Sequence, residues 1–408
     1  MCRDTILYVG NFGIPNRNAA GSRVLANGYI LREMGYNVIF IGTSEKNAVR
    51  EPISETYEIH HGFESFKFPY LKQGVDSIQY LKLFTEFITL IKDKGLENRI
   101  KAIIFYGSPT VSPWVSKVVN WCKNNGILTI EDCVDWLETN HGNSIFRFLK
   151  RLDYSYRKVY INKKMDGVIC ISNFLQDYYQ GKGKKTVLIP PLTIENAKIA
   201  SHNTKNSDVL KIVYAGIPFP NGKLKKREHA KDRLDLAINY LYAAYRDGIN
   251  FKFDIYGITR EQYLVGLPED EYMLNEMSGV VKFYGYQKAE IIDDKVSNAD
   301  FTILIRDINR GTTAGFSTKF VQSISCGTPV ITTNTSDISN YMKENIYGFI
   351  LDKDEKKALA KLKDILLLSS DKITFMKREC AASKLFLYRN YINQMDNFLL
   401  ELEKKDNF

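Results

Sequence analysis

One stretch constrains the fold more than any other. Phe301-Thr302-Ile303-Leu304-Ile305 is a short apolar run of the kind that forms a buried parallel strand. After it comes Gly311 to Ile331, GTTAGFSTKFVQSISCGTPVI. Gly311 to Gly315 reads as a small-residue loop, and roughly Thr318 to Ser325 as a helix. Gly327 suits the left-handed position past a helix end, and Pro329 cannot continue the helix. Val330-Ile331-Thr332 opens the next strand. Strand, loop, helix, stop and strand leave backbone amides pointing out of a helix N-terminus, a geometry that binds anions and phosphates especially.

The same alternation runs through the chain. Ile6 to Gly10 and Val38 to Gly42 read as strands joined by a Gly/Asn/Pro-rich loop, Asn11 to Gly21, and a helix from Ser22 to Met34. This βαβ unit lacks the dinucleotide fingerprint: Gly10 and Gly13 miss the G-x-G spacing, and no acidic residue ends the second strand. Further strands are expected at 57–68, 102–107, 127–130, 167–172 and 186–189, with helices at 76–94 and 111–124. Pro190-Pro191 and the polar stretch 195–208 break the pattern. It resumes with strands at 210–216, 251–257, 280–285, 301–305, 330–332 and 349–351, and helical spacing returns over 374–403. The reading is α/β, two doubly wound Rossmann-like domains, 1–195 and 196–375, facing a central cleft. A C-terminal helical segment, 376–408, packs back on the first domain. Such sheets bind ligands at the C-terminal ends of their strands.

The 408 residues allow two or three domains, and 44% apolar and 25% charged content is ordinary for a globular protein. The net charge of +9 favours an acidic ligand or an anionic surface, and serves solubility equally well. Basic residues are not concentrated beside any nucleic-acid-binding motif, so no nucleic-acid partner is expected. The 6 cysteines form no C-x-x-C pair and have no zinc-site spacing, which points to a reducing compartment. Met1-Cys2-Arg3-Asp4 shows no signal-peptide pattern, and no apolar run approaches the ~18 residues a membrane span needs. The expectation is a cytoplasmic protein, peripheral to a membrane if 146–164 contacts lipid. That segment interleaves Arg147, Lys150, Arg151, Arg157 and Lys158 with Phe148, Tyr154, Tyr156 and Tyr160. It suits an anionic lipid surface or a solvated amphipathic helix.

Gly315-Phe316 and Gly327-Thr328-Pro329-Val330-Ile331 resemble the retaining GT-B glycosyltransferases of the group 1, or family 4, type. Val213 to Gly216 followed by Lys231-Asp232, Asp254 to Gly257, Val281 to Gly285, Ile169 to Ser172 and Leu188 to Pro191 extend the resemblance over most of the chain. It implies transfer of a hexose from a nucleoside diphosphate sugar to a saccharide or lipid-linked saccharide, with retention, in cell-surface polysaccharide synthesis. No cofactor is implied. No D-x-D stands in the right context and Asp293-Asp294 reads as a helix-surface pair, so no obligate metal is expected. In the family a first glutamate touches the donor sugar and a second the nucleotide ribose; here these positions hold Ala314 and Gln322. Gln322 can still bond ribose hydroxyls. Lys319 falls where a sub-branch carries a lysine.

Breaking a sugar–diphosphate bond builds negative charge that cations and amides must meet. Lys231, Arg306 and Arg310 are candidates, Lys231 by its match to the family's diphosphate-binding lysine. The amides of Gly315, Phe316, Ser317 and Thr318, with Gly216, complete the expected donor site. Glu131, Asp132 and Asp135 stand where the family often has a histidine, with His141 nearby; Asp132 and Asp135 are the catalytic candidates beside Lys231. Gly13, Gly21, Ser22 and Arg23 are candidates for an acceptor or phosphate loop. A sugar-nucleotide epimerase on the same plan and a catalytically inactive partner protein are the alternative readings.

Overall fold

The structure, a computed structural model, describes residues 3–13, 18–45, 50–69, 77–107, 112–136, 144–195, 209–219, 224, 227 and 230–404, without the side chains of 77–81, 144–147, 149 and 150. The chain divides into two compact units, Met1–Ile194 with Leu387–Phe408, and Glu195–Phe386. Residues 376–386 therefore stay with the second unit, and the return to the first begins at Leu387.

The first unit is built on eight strands: β1 Thr5–Gly10, β2 Asn37–Thr43, β3 Glu58–His60, β4 Phe63–Phe68, β5 Ile100–Tyr106, β6 Leu128–Cys133, β7 Gly167–Cys170 and β8 Lys185–Leu188. Their order is β3-β4-β2-β1-β5-β6-β7-β8, and every pairing is parallel except β3 with β4. β1, buried at all its positions, lies where the order reverses, between β2 and β5. Apolar residues cover both faces, as a parallel sheet requires. One face carries Val24, Leu25 and Ile30 of the helix Ala19–Glu33, and the other carries Phe87, Trp114 and Val118.

The helix Ile392–Glu403 also belongs to this unit. It buries Met395, Phe398, Leu399 and Leu402 in the same core as Ile169 and Val187. Each such side chain contributes about 1.5–3 kcal/mol. Gly167 makes room for it: a Cβ there would stand 2.5 Å from Phe398 Cζ. The helical spacing over 374–403 is not one helix. It breaks after Ala382, and a short turn at Tyr388–Tyr391 precedes the last helix.

The second unit has six strands: β9 Leu210–Ala215, β10 Phe251–Tyr256, β11 Val281–Phe283, β12 Phe301–Leu304, β13 Val330–Thr333 and β14 Gly348–Leu351. Their order is β11-β10-β9-β12-β13-β14, all parallel. The order reverses between β9 and β12, which opens a crevice at the C-terminal ends of those two strands. No described helix is long and apolar enough to cross a membrane.

Candidate active site

The crevice of the second unit holds a buried carboxylate ringed by cations. Asp232 lies just before the helix Leu234–Arg246 and is 1% exposed. Its Oδ1 accepts from Arg306 Nε at 2.7 Å. Its Oδ2 accepts from Lys319 Nζ at 2.5 Å and from the Tyr214 hydroxyl at 2.9 Å. Tyr214 comes from β9, and Arg306 from the turn after β12, where its N–H is fixed by Thr333 Oγ1. Lys319 comes from the first turn of the helix Thr318–Ser325, and its stem lies flush on Gly216, where a Cβ would stand 2.0 Å from Lys319 Cε. Gly216 thus leaves room for the Lys319 stem in this position.

The electrostatics follow from that geometry. Burial pushes the Asp232 carboxyl up, but Lys319 and Arg306 outweigh it and hold the group well below the usual carboxylate range. Burial lowers Lys319, Asp232 raises it in part, and the charges of Arg306 and Lys231 lower it further. Lys231 itself is exposed, with its N–H bonded to the Pro218 carbonyl. One carboxylate among Arg306, Lys319 and Lys231 leaves net positive charge at the strand ends. Beside it lies a pocket lined by Val213, Ala215, Thr302, Leu304, Lys319, Gln322 and neighbouring side chains. The Ser317 hydroxyl caps the helix by accepting from the Phe320 N–H. The amides of Thr318 and Lys319 precede the first possible intrahelical acceptor. The net positive charge favours an anion over a cation at these strand ends.

Several expectations for this region are corrected. Gly311 to Gly315 is not an open loop: Arg310–Ala314 forms a short helix with an Asn309–Thr312 capping box, and the Gly315 N–H donates to the Gly311 carbonyl. Phe316 is core, packed on Phe320, Tyr341 and Phe386, so its ring offers nothing to a donor. Ala314 is fully buried. Thr318 is exposed. Arg310 sits at the start of the short helix. Gln322 lines the pocket and donates from Nε2 to Asp293 Oδ1 at 2.7 Å. Asp293, with Asp294, does lie on a helix surface, Ala289–Ser297.

The candidates of the first unit are placed differently. β6 runs through Cys133, so Glu131 and Asp132 lie inside the strand rather than beyond its end. Asp132 is 0% exposed. It receives Arg23 Nη2 at 2.7 Å and the Tyr8 hydroxyl at 2.5 Å. Arg23 spends Nη1 on the Ile189 and Pro190 carbonyls. Neither side chain is presented to a ligand, because each is consumed by the other inside the unit. The helix begins at Ala19, with Asn18 as its cap accepting from the Gly21 N–H, so Gly21 and Ser22 are first-turn residues rather than a loop. Gly13 is half-buried just past β1. Glu131 pairs with Arg157 Nη2 at 2.9 Å, and burial pushes its carboxyl up to about 7. Asp135 is half-buried and accepts from the Trp136 N–H. His141 lies outside the described residues. Among the described residues no group of three or more His, Cys, Asp or Glu side chains is placed to hold a metal.

A family model described as glycosyl transferases group 1 matches residues 224–379, which contain Asp232, Arg306, Lys319 and Gln322. That match covers the greater part of the second unit. Solved structures show the fold of the whole. Sucrose-phosphate synthase from Thermosynechococcus elongatus matches with a TM-score of 0.65 at 14% identity, covering 99% of this chain and 100% of its own. A glycosyltransferase from Rickettsia africae matches at 0.64 and 14%, covering 98% and 99%. Anabaena HepE in complex with UDP matches at 0.61 and 13%, covering 97% and 100%. No curated protein matches the chain in sequence. The fold is GT-B, with two Rossmann-like α/β units, and the protein is a glycosyltransferase. The residues that sequence reasoning missed in this glycosyltransferase are Asp232 and Tyr214. The one signal for Asp232 was its place next to Lys231.

Proposed function

We propose that the glycosyltransferase moves a hexose from a nucleoside diphosphate sugar to a hydroxyl of a saccharide or lipid-linked saccharide, with retention and without a metal. The observation that carries this reading is the convergence of Arg306 and Lys319 on buried Asp232 at the β9–β12 crevice. A leaving diphosphate gains negative charge as the anomeric C–O bond breaks, and fixed cations in a partly dry site stabilise that charge. HepE is described with UDP and with UDP-glucose, which supports a nucleoside diphosphate donor here. The acceptor hydroxyl attacks the anomeric carbon on the face the diphosphate leaves, and its proton passes to a leaving phosphate oxygen. Such a route asks for no carboxylate base, in keeping with the internal pairing of Asp132. Lys231, exposed beside Lys319, is the third cation for the diphosphate. Cell-surface polysaccharide synthesis is the setting that the resemblance supports.

The test is incubation with a panel of UDP- and GDP-sugars, following thermal shift and slow donor hydrolysis. One nucleotide class should raise the melting temperature and be hydrolysed. Lys231→Ala should abolish turnover and leave the melting temperature of the free protein within about 1 °C, as for an exposed side chain. Full activity in that variant removes Lys231 from the diphosphate. Buried Ala314 and the engagement of Gln322 by Asp293 favour one second reading, a partner protein that keeps the donor pocket. Donor binding without turnover across a range of acceptors would select it.

A further inference from the structure

The surface helix Ser144–Tyr156 and the wider turn Arg157–Ile161 that continues it carry an apolar stripe facing solvent. Phe148 is 60% exposed, Leu152 51%, Tyr156 42%, Val159 51% and Tyr160 46%. These are five of the seventeen exposed large hydrophobic side chains among the described residues, and they fall within thirteen positions. The spacing 148, 152, 156, 160 places them one above another on a single helical face. A surface helix ordinarily presents polar groups outward, and a contiguous apolar patch on a soluble domain marks a contact.

The other face is already occupied by the first unit. Ile161 is buried, Tyr154 donates to the Asp135 carbonyl, and Arg157 reaches Glu131. Lys158 is buried too, its ammonium held among the rings of Trp136 and Tyr178. Arg157 and Lys158, which in the sequence look like part of a lipid-facing basic cluster, therefore point inward. The outward charge comes from other residues. Arg151 and Lys163 are exposed, and Lys164 sits with its ammonium 4.2 Å from the Tyr160 ring centre. Asp153 is the one acidic residue from Ser144 to Lys164. It is turned inward, its Oδ1 accepting from the Ser112 N–H at 2.9 Å. The stripe thus has cations beside it and no exposed carboxylate of its own segment.

From the apolar stripe and the exposed cations of its own segment, we infer that this face docks on an anionic lipid bilayer. Phe148, Leu152, Tyr156 and Tyr160 would enter the headgroup–acyl boundary while Arg151, Lys163 and Lys164 stay at the phosphates. An aromatic-rich apolar face with basic flanks suits that interface. The cations beside the stripe favour a phosphate-bearing surface over a neutral apolar groove. The inference does not depend on the donor chemistry.

The experiment is co-sedimentation of the full chain with phosphatidylcholine vesicles containing or lacking about one-third phosphatidylglycerol. Wild type should bind the anionic vesicles about tenfold better, and 0.5 M NaCl should weaken that binding. Leu152→Glu combined with Tyr156→Glu should lower it about tenfold or more, with melting temperature and nucleotide binding unchanged. Lys163→Glu with Lys164→Glu should remove the preference for anionic vesicles. Leu152→Trp should show blue-shifted emission on vesicle addition. The idea is overturned if wild type stays in the supernatant with both vesicle types, or if the double glutamate variant sediments as wild type does. It is also overturned if light scattering finds a wild-type dimer that this variant dissociates while no vesicle binding occurs, since a second copy would then be the occupant.

Discussion

The two units share a local design and use it in opposite ways. Each has a tyrosine on a central strand, Tyr8 in β1 and Tyr214 in β9, donating to a buried aspartate, Asp132 or Asp232. Each aspartate is also met by an arginine, Arg23 or Arg306. In the first unit one arginine answers one carboxylate, the side chains are 3% and 0% exposed, and the remaining guanidinium nitrogen is spent on carbonyls. The charge is closed. In the second unit a lysine is added, 24% exposed and beside a pocket, so positive charge is left over. The charge balance, rather than the residue types, separates the scaffold pair from the proposed anion site.

The largest effect that would test this contrast is in the first unit. Asp132→Ala strands Arg23 without its partner, and should cost about 3–5 kcal/mol in chemical denaturation. Nucleotide affinity of the folded protein should be unchanged. A loss of affinity at unchanged stability would place Asp132 at the ligand instead. The counterpart in the second unit is Lys319→Ala. It removes one of the three cations around Asp232, and should weaken nucleoside diphosphate binding by about 10- to 100-fold in calorimetry, as expected for a charge-assisted hydrogen bond. Stability should fall less than in the Asp132 variant, because Arg306 still answers Asp232.

A third outcome concerns pH. Lys319 is held below its ordinary value of 10.5, mainly by burial. A base with a lowered pKa gives up its proton earlier as pH rises, so nucleotide affinity should decline on the alkaline side before pH 10.5. Asp232 opposes that loss. Asp232→Asn should therefore move the alkaline limb to lower pH, which a purely structural role would not do. The smallest effect is expected at Asp293→Ala. Its carboxylate holds the Gln322 amide, and freeing that amide should change nucleotide affinity by no more than about fivefold, the scale of a neutral side-chain hydrogen bond.

Much of the fold was legible because parallel strands buried on both faces read as apolar runs. The helix Thr318–Ser325 was legible too, through Gly327 and Pro329 at its end. The site was harder to read. Arg23 and Asp132 look like ligand-facing residues at a glycine-rich turn and a strand end, yet their pairing spans 109 positions and leaves no local mark. Phe316 sits in a motif but packs on Phe386, again a contact across sequence. Lys319 could be placed from its motif, whereas its hold on Asp232 could not. Burial and long-range pairing decided each of these.

The break in the last helical stretch carries a further consequence. The chain leaves the first unit at Ile194 and re-enters it at Leu387, where Thr193 and Leu387 pair and the Tyr388 N–H meets the Thr193 carbonyl. The second unit is contiguous in sequence, whereas the first is not. A ribosome delivers the sheet β1–β8 long before Phe398 and Leu402 exist to cover Gly167 and its neighbours. During synthesis the later half can finish before the earlier half, and the first unit waits with an uncovered face. The helix Ile392–Glu403 thus closes over strands made long before it, and removing that helix would be felt most in the first unit.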